Sequence, residues 1–237
     1  MLLEVKNIKK YFKNKQVKAV DDVSFDLEKG RTLGLVGESG SGKSTLSKLV
    51  LRLIEPDEGR LYFEGNDIMR SKGPQLGHFR KKVQVIFQEP LLSLDPRMTV
   101  RGVLSEPFLI HSEFKSALTN DRLEKLLSSV ELPAFLLSRR PHELSGGECQ
   151  RVAIARAISL EPKLIVCDEA VSSLDALVQA QILNLLLRLQ KEMGVAYLFI
   201  SHDLRAVRHM SDEVMVMKDG KACKSKTSEL QYPFNPI

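Results

Sequence analysis

The segment Gly37-Glu38-Ser39-Gly40-Ser41-Gly42-Lys43-Ser44-Thr45 fits the pattern G-x-x-x-x-G-K-[ST]. It follows a short apolar run, residues 32–36, that reads as a buried strand. It opens a stretch with apolar residues at helical spacing (Leu46, Leu49, Val50, Leu53) that Pro56 stops. A chain carrying this strand–loop–helix unit is committed to an α/β fold around a phosphate-binding loop. Glycines let the backbone curl so that successive N–H groups point inward at phosphate oxygens. The helix N-terminus adds its positive end. Lys43 supplies a point charge for the outer phosphates, and the Ser44 hydroxyl is a ligand for Mg²⁺. The motif alone implies a nucleoside triphosphate and leaves open what its hydrolysis drives.

The remaining pattern agrees. Residues 2–5 and 17–27 alternate apolar and polar side chains as half-buried strands do, with a bend expected at Asp21-Asp22. Residues 83–87, 164–167 and 195–200 are short apolar strands. Residues 145–160 and 178–192 are helices, the second closed by Gly194, and residues 214–223 form a hairpin through Asp219-Gly220. Between 99 and 137 the signals are helical, with breaks at Glu106-Pro107 and Pro133. Strands alternating with helices predict a mainly parallel sheet. The stretch 91–142 reads as an inserted helical subdomain within a single 1–237 domain, the core being 1–90 and 143–237. The strand of residues 164–167 runs into Asp168-Glu169. Ligands sit off the carboxyl ends of parallel strands, so Asp168 is placed for the Mg²⁺ shell and Glu169 to orient or deprotonate a water. Adjacent strand residues point oppositely, which suits two different jobs.

Leu144-Ser145-Gly146-Gly147-Glu148-Cys149-Gln150-Arg151 opens a helix with an S-x-x-E capping box, Ser145 to Glu148. The cap has no need of Gly146 and Gly147, which instead suit a second anion site at a positive helix end. This segment, lying between a phosphate loop and an acidic strand, resembles the signature of the ABC-transporter ATPases, and the resemblance covers nearly the whole chain. It implies an α/β P-loop NTPase core with an N-terminal antiparallel β subdomain. It also implies ATP as the nucleotide and head-to-tail pairing of two ATPase subunits. Ser145, Gly146 and Gly147 would then touch the partner's ATP. By the same resemblance Gln88 is the glutamine that senses Mg²⁺ on the permease side, and Ser172-Ser173-Leu174-Asp175 lies at the dimer seam. His202 attends the γ-phosphate and Tyr11 stacks on adenine.

The run from Glu89 to Val100, with Asp95-Pro96-Arg97-Met98-Thr99, resembles the peptide/nickel importer subfamily. Ala170, where most peptide-importer relatives have proline, looks like the second ATPase subunit of a nickel importer. Nickel or a nickel chelate is therefore the expected cargo, with di- or oligopeptides as the alternative. The implied partners are a second, different ATPase subunit, two permeases and an extracytoplasmic solute-binding protein, at the cytoplasmic face of the membrane. The sequence ends at Pro236-Ile237, leaving no room for the longer tail of peptide-importer ATPases or for a regulatory domain.

Composition excludes other classes. With 43% apolar and 27% charged residues, collagen, disorder and a disulfide scaffold are out. A net charge of +5, from 35 basic and 30 acidic residues, suits a phosphate ligand but is too small and evenly spread for a nucleic-acid footprint. Cys149, Cys167 and Cys223 show no CxxC spacing and read as reduced thiols. No segment approaches 18 apolar residues, and the N-terminus lacks the charge-then-apolar order of a secretory signal, so a cytosolic chain is expected. Chromosome-maintenance ATPases would need a long coiled coil before the signature, and translation-type ones two cassettes. A regulatory subunit without turnover is disfavoured by Glu169 and His202.

Overall fold

A computed structural model describes residues 1–12 and 16–225; the C-terminal end at Pro236-Ile237 lies outside the described residues. The chain begins with two antiparallel strands, β1 (Leu3–Phe12) and β2 (Val17–Leu27). The bend expected at Asp21-Asp22 is present as a double irregularity. Asp22 and Asn7 take left-handed backbone (φ 61° and 48°), and the Asn7 side-chain amide donates to Asp22 Oδ1 at 3.0 Å. Next come β3 (Thr32–Val36), α1 (Lys43–Val50), β4 (Glu58–Phe63), β5 (Asn66–Asp67), α2 (Pro74–Lys82) and β6 (Val83–Ile86). Then follow α3 (Pro90–Ser93), α4 (Val100–Ile110), α5 (Asn120–Ser129), α6 (Gly146–Ile158) and β7 (Leu164–Asp168). The described chain closes with α7 (Ala176–Met193), β8 (Ala196–Ile200), α8 (Leu204–Met210), β9 (Glu213–Lys218) and β10 (Lys221–Ser225).

Two sheets result. One is antiparallel in the order β2-β1-β4-β5, and the other runs β10-β9-β3-β8-β7-β6 with every pairing parallel except β10 against β9. The period of two along a strand sorts the buried residues into two cores. Leu164 and Val166 of β7, with Leu198 and Ile200 of β8, face α1 and the antiparallel sheet, packing with Leu46, Leu49, Val5 and Phe25. Ile165 and Cys167, with Tyr197 and Phe199, face the other way, onto α6 and α7. The same core takes in Val103, Leu104 and Phe108 of α4 and Leu123 and Leu127 of α5. The helices between 91 and 142 thus share apolar packing with the sheet.

Of the boundaries that differ from the sequence reading, three have a visible cause. Helix α1 stops at Val50 rather than running on toward Pro56, because Arg52 turns left-handed (φ 52°) and sends its guanidinium back to the carbonyl of Ile68 at 3.2 Å. Helix α4 runs through Glu106-Pro107 without the expected break. Proline removes one backbone donor, but Val103, Leu104 and Phe108 around it are at most 1% exposed, and their burial, each about 1.5–3 kcal/mol, holds the helix. Helix α7 begins at Ala176, two residues early, since Asp175 caps it by accepting from the backbone of Leu177 and Val178.

Candidate functional site

The loop from Gly37 to Gly42 joins β3 to α1 as the sequence predicts. Two of its glycines answer to close approaches. Gly42 has φ 110°, and a Cβ there would lie 2.1 Å from the carbonyl oxygen of Ala19; a Cβ on Gly37 would lie 2.2 Å from that of Met217. The loop is therefore seated against β2 and β9, with Gly220 N donating to Ser41 O at 3.0 Å. Lys43, 5% exposed, folds over it and donates to the carbonyls of Gly37 (2.7 Å) and Glu38 (2.8 Å). Burial lowers the Lys43 ammonium pKa, while Glu169 and Asp168 pull it back up. The Ser41 hydroxyl is buried with no hydrogen-bond partner among the described residues. A loop of inward N–H groups, a lysine held at its mouth and an unspent hydroxyl fit a bound polyphosphate.

Asp168 ends β7 on the α1 side. Burial raises its carboxyl pKa, opposed by the Ser47 hydroxyl and then by Lys48 and Lys43. The next residue breaks the strand alternation. Glu169 is left-handed (φ 52°), its N–H donates to the carbonyl of Ile200 at 2.9 Å, and its side chain turns into the same cleft as Lys43. There Glu169 Oε2 lies 3.2 Å from His202 Nδ1. The helix that follows His202 is capped by Asp203, whose carboxylate accepts from Arg205 N at 2.8 Å, so His202 has no capping role and 60% of its side chain is exposed.

The cleft holds about 570 Å³. Ser39, Gly40, Gly42, Lys43, Ser44, Thr45 and Glu169 line it, all but Glu169 from the loop and the start of α1. Its opposite wall comes from residues the sequence reading did not select: Gln16 to Ala19 at the start of β2, and Asp219-Gly220 at the hairpin tip. Tyr11 stands beside this wall in β1, paired with Lys18 across the strands, and its hydroxyl donates to Asp21 at 2.9 Å. Gln88 sits in an exposed turn between β6 and α3, and its carbonyl accepts from Ser173 Oγ at 3.2 Å.

Ser145, Gly146 and Gly147 lie outside the cleft. Ser145 caps α6 in a full capping box. Its Oγ donates to Glu148 Oε2 (2.7 Å) and accepts from Glu148 N (3.3 Å), and its N–H donates to Glu148 Oε2 (2.8 Å). These bonds hold the Glu148 carboxyl pKa below its usual range. Gly147 has a packing reason as well, since a Cβ there would approach Val178 Cγ1 to 2.9 Å.

A loop that cradles phosphates, a carboxylate poised across it and a capped double-glycine helix end are now together in one molecule. A sequence profile described as "ABC transporter" matches residues 20–172. The chain belongs to the ABC transporter family. It is the ATP-binding, ATP-hydrolysing component type of that family. It is 48% identical over 246 residues to the oligopeptide transport ATP-binding protein AppF of Bacillus subtilis, covering all of this chain and 74% of that protein. It is 44% identical to the dipeptide transport ATP-binding protein DppF of Haemophilus influenzae, covering 99% of this chain and 74% of that one. Among solved structures, the ADP- and phosphate-bound dimer of the ATP-binding cassette MJ0796 matches with a TM-score of 0.84 at 28% identity, over 95% of this chain and 99% of the other. Among the described residues no helix is long and apolar enough to cross a membrane.

Proposed function

We propose that this chain is the ATP-hydrolysing subunit of an importer of oligopeptides or dipeptides. The observation that carries the enzymatic half is the Glu169–His202 contact across the cleft from Lys43. The peptide cargo is favoured over nickel by the relatives, which are oligopeptide and dipeptide transport proteins.

The chemistry follows from this chain's groups. ATP enters with its phosphates in the loop of Gly37, Glu38, Ser39, Gly40, Ser41 and Gly42. Lys43 exchanges its two carbonyl bonds for phosphate oxygens, and Thr45 extends the cradle. Ser44, Gln88 and Asp168 are the groups to hold Mg²⁺, which when bound neutralises charge on the outer phosphates. Glu169 accepts the proton of the attacking water, and His202 fixes the Glu169 carboxylate and reaches the γ-phosphate edge. Tyr11 stacks on the base. Ser145, Gly146 and Gly147 serve a second subunit's nucleotide, which agrees with their not lining this chain's own cleft. The remaining partners are a second, different ATPase subunit, two permeases and a solute-binding protein, with the chain peripheral to the cytoplasmic membrane face. Residues 91–142 act as the helical subdomain facing the permeases.

Glu169→Gln is the test of the enzymatic half. The variant should bind ATP as before and lose turnover by about 10²-fold or more, the usual contribution of a positioned base. Turnover at the parental rate would remove Glu169 from the role. For the cargo, uptake of a labelled oligopeptide is measured in cells whose uptake depends on this chain. Dependence of nickel uptake alone would overturn the peptide reading.

A further inference from the structure

The segment from Gln88 to Ser93 is held at both ends by side chains from elsewhere. At one end Ser173 Oγ donates to the carbonyl of Gln88 at 3.2 Å. At the other, Arg156 Nη1 donates to the carbonyl of Ser93 at 2.7 Å, reaching across from α6. Between them the segment makes its own short turn, with Ser93 N donating to Glu89 O at 3.1 Å and Ser93 Oγ to Pro90 O at 2.9 Å. A displacement at Ser93 is therefore carried toward Gln88 through a closed turn.

Arg156 is an expensive way to fill its position. Its neighbours on α6, Val152, Ala153, Ala155 and Ala157, are all buried and apolar. The side chain is half-buried, and among the described residues no carboxylate is in hydrogen-bond contact with the guanidinium; burial works against its charge and the more distant Glu106 only partly offsets this. An apolar side chain would avoid the desolvation, so the retained charge points to the bond it makes. That bond is to a backbone carbonyl, and it therefore fixes a position of the main chain whatever side chain stands at 93.

We infer that Arg156 is a positioning residue that sets the place of Gln88 by clamping the far end of its segment to the signature helix. Ser173, one turn beyond Glu169, is the matching clamp at the near end. Ser172 Oγ in turn donates to Glu169 O at 2.9 Å, so the near clamp belongs to the turn that carries Glu169. The inference rests on the reading of Gln88 as a metal-side residue.

The test compares Gln88→Ala, Arg156→Met, Arg156→Lys and Ser173→Ala in the 237-residue chain. Mn²⁺ titrated into ATP-loaded protein, read by electron paramagnetic resonance, gives metal affinity without turnover. ATP binding in chelator gives nucleotide affinity alone. Amide exchange of residues 89–93 in the nucleotide-free chain reads the clamp directly. Loss of a hydrogen bond from a charged donor should weaken Mn²⁺ about tenfold in Arg156→Met, with metal-free ATP affinity within twofold and faster exchange at 89–93. Arg156→Lys, which keeps one charged donor, should recover most of the loss. Ser173→Ala, a small exposed change that does not threaten folding, should weaken Mn²⁺ about threefold and decides the matter if Arg156→Met is unstable. If Gln88→Ala weakens Mn²⁺ and neither clamp variant does, the clamp is overturned while the Gln88 reading stands. If Gln88→Ala itself has no effect, both fall together.

Discussion

Gly147→Ala separates two reasons for the double glycine that opens α6. In the free chain a Cβ at 147 comes within 2.9 Å of Val178 Cγ1, closer than a methyl–methyl contact allows. Val178 is β-branched and sits in the first turn of α7, where its χ1 has essentially one well, so it cannot turn aside cheaply. Overpacking of this kind costs about 1–3 kcal/mol. Against it stands a helix-propensity gain for alanine of up to about 1 kcal/mol, reduced because 147 lies in the first turn. The net expectation is a destabilisation of about 1 kcal/mol. Urea unfolding of the nucleotide-free chain measures it. The double variant Gly147→Ala/Val178→Ala should recover the overpacking term, giving a coupling of about 1–3 kcal/mol in a double-mutant cycle. A single variant as stable as the parent, with zero coupling, would refute the packing argument. The glycine would then be there for phosphate approach alone.

Lys43→Ala removes a charged donor from the phosphates and from the carbonyls of Gly37 and Glu38, so calorimetry should show ATP affinity falling about tenfold to a hundredfold. Tyr11→Ala should weaken ATP more than inorganic triphosphate, because the triphosphate offers no base to stack on. Competition binding with both ligands measures it, and equal losses would move the role elsewhere. Glu64 supplies the pH dependence. Burial raises its carboxyl pKa, but hydrogen bonds from Lys163 and Lys82 outweigh that and hold it at about 2, below the ordinary 4.5. The depressed value means its contribution is full above pH 4.5 and is lost as pH falls toward 2. Glu64→Gln should cost on the order of 2 kcal/mol at pH 7 and nothing below pH 2, as read by unfolding across pH.

What could be read from the sequence divides by distance along the chain. The phosphate loop, the Ser145–Glu148 cap and the strand ending at Asp168 are local, with spacings that state their own geometry. Glu169 was half legible. Strand alternation predicts opposite directions for Asp168 and Glu169, but a left-handed backbone at Glu169, tied to Ile200, breaks the alternation and itself sets where the Glu169 carboxylate goes. The opposite wall of the cleft was not legible. Lys18 and Gly220 meet there only because the β9–β10 hairpin packs on β2, with Asp21 N donating to Gly220 O at 2.8 Å across 199 positions of sequence. No local pattern encodes such a contact. Pro107 misled for the same reason, since its local cost is set against burial supplied by α6 and the sheet face.

The cargo is a different kind of case. Ala170, the residue that leaned toward nickel, is 1% exposed and packs within the core of α6, α7 and the sheet face. It has no surface to present to a metal or a peptide, and it sits directly after Glu169 where the backbone turns left-handed. Alanine or proline at 170 changes the freedom of that turn and the packing beneath it. Proline restricts the residue before it to extended backbone and disfavours other regions, whereas Glu169 here has φ 52°. An alanine at 170 is therefore a statement about how the Glu169 turn is built. It bears on the placing of the Glu169 carboxylate, and it bears on cargo only through shared ancestry, which whole-chain identity to peptide transport proteins measures better than one buried side chain.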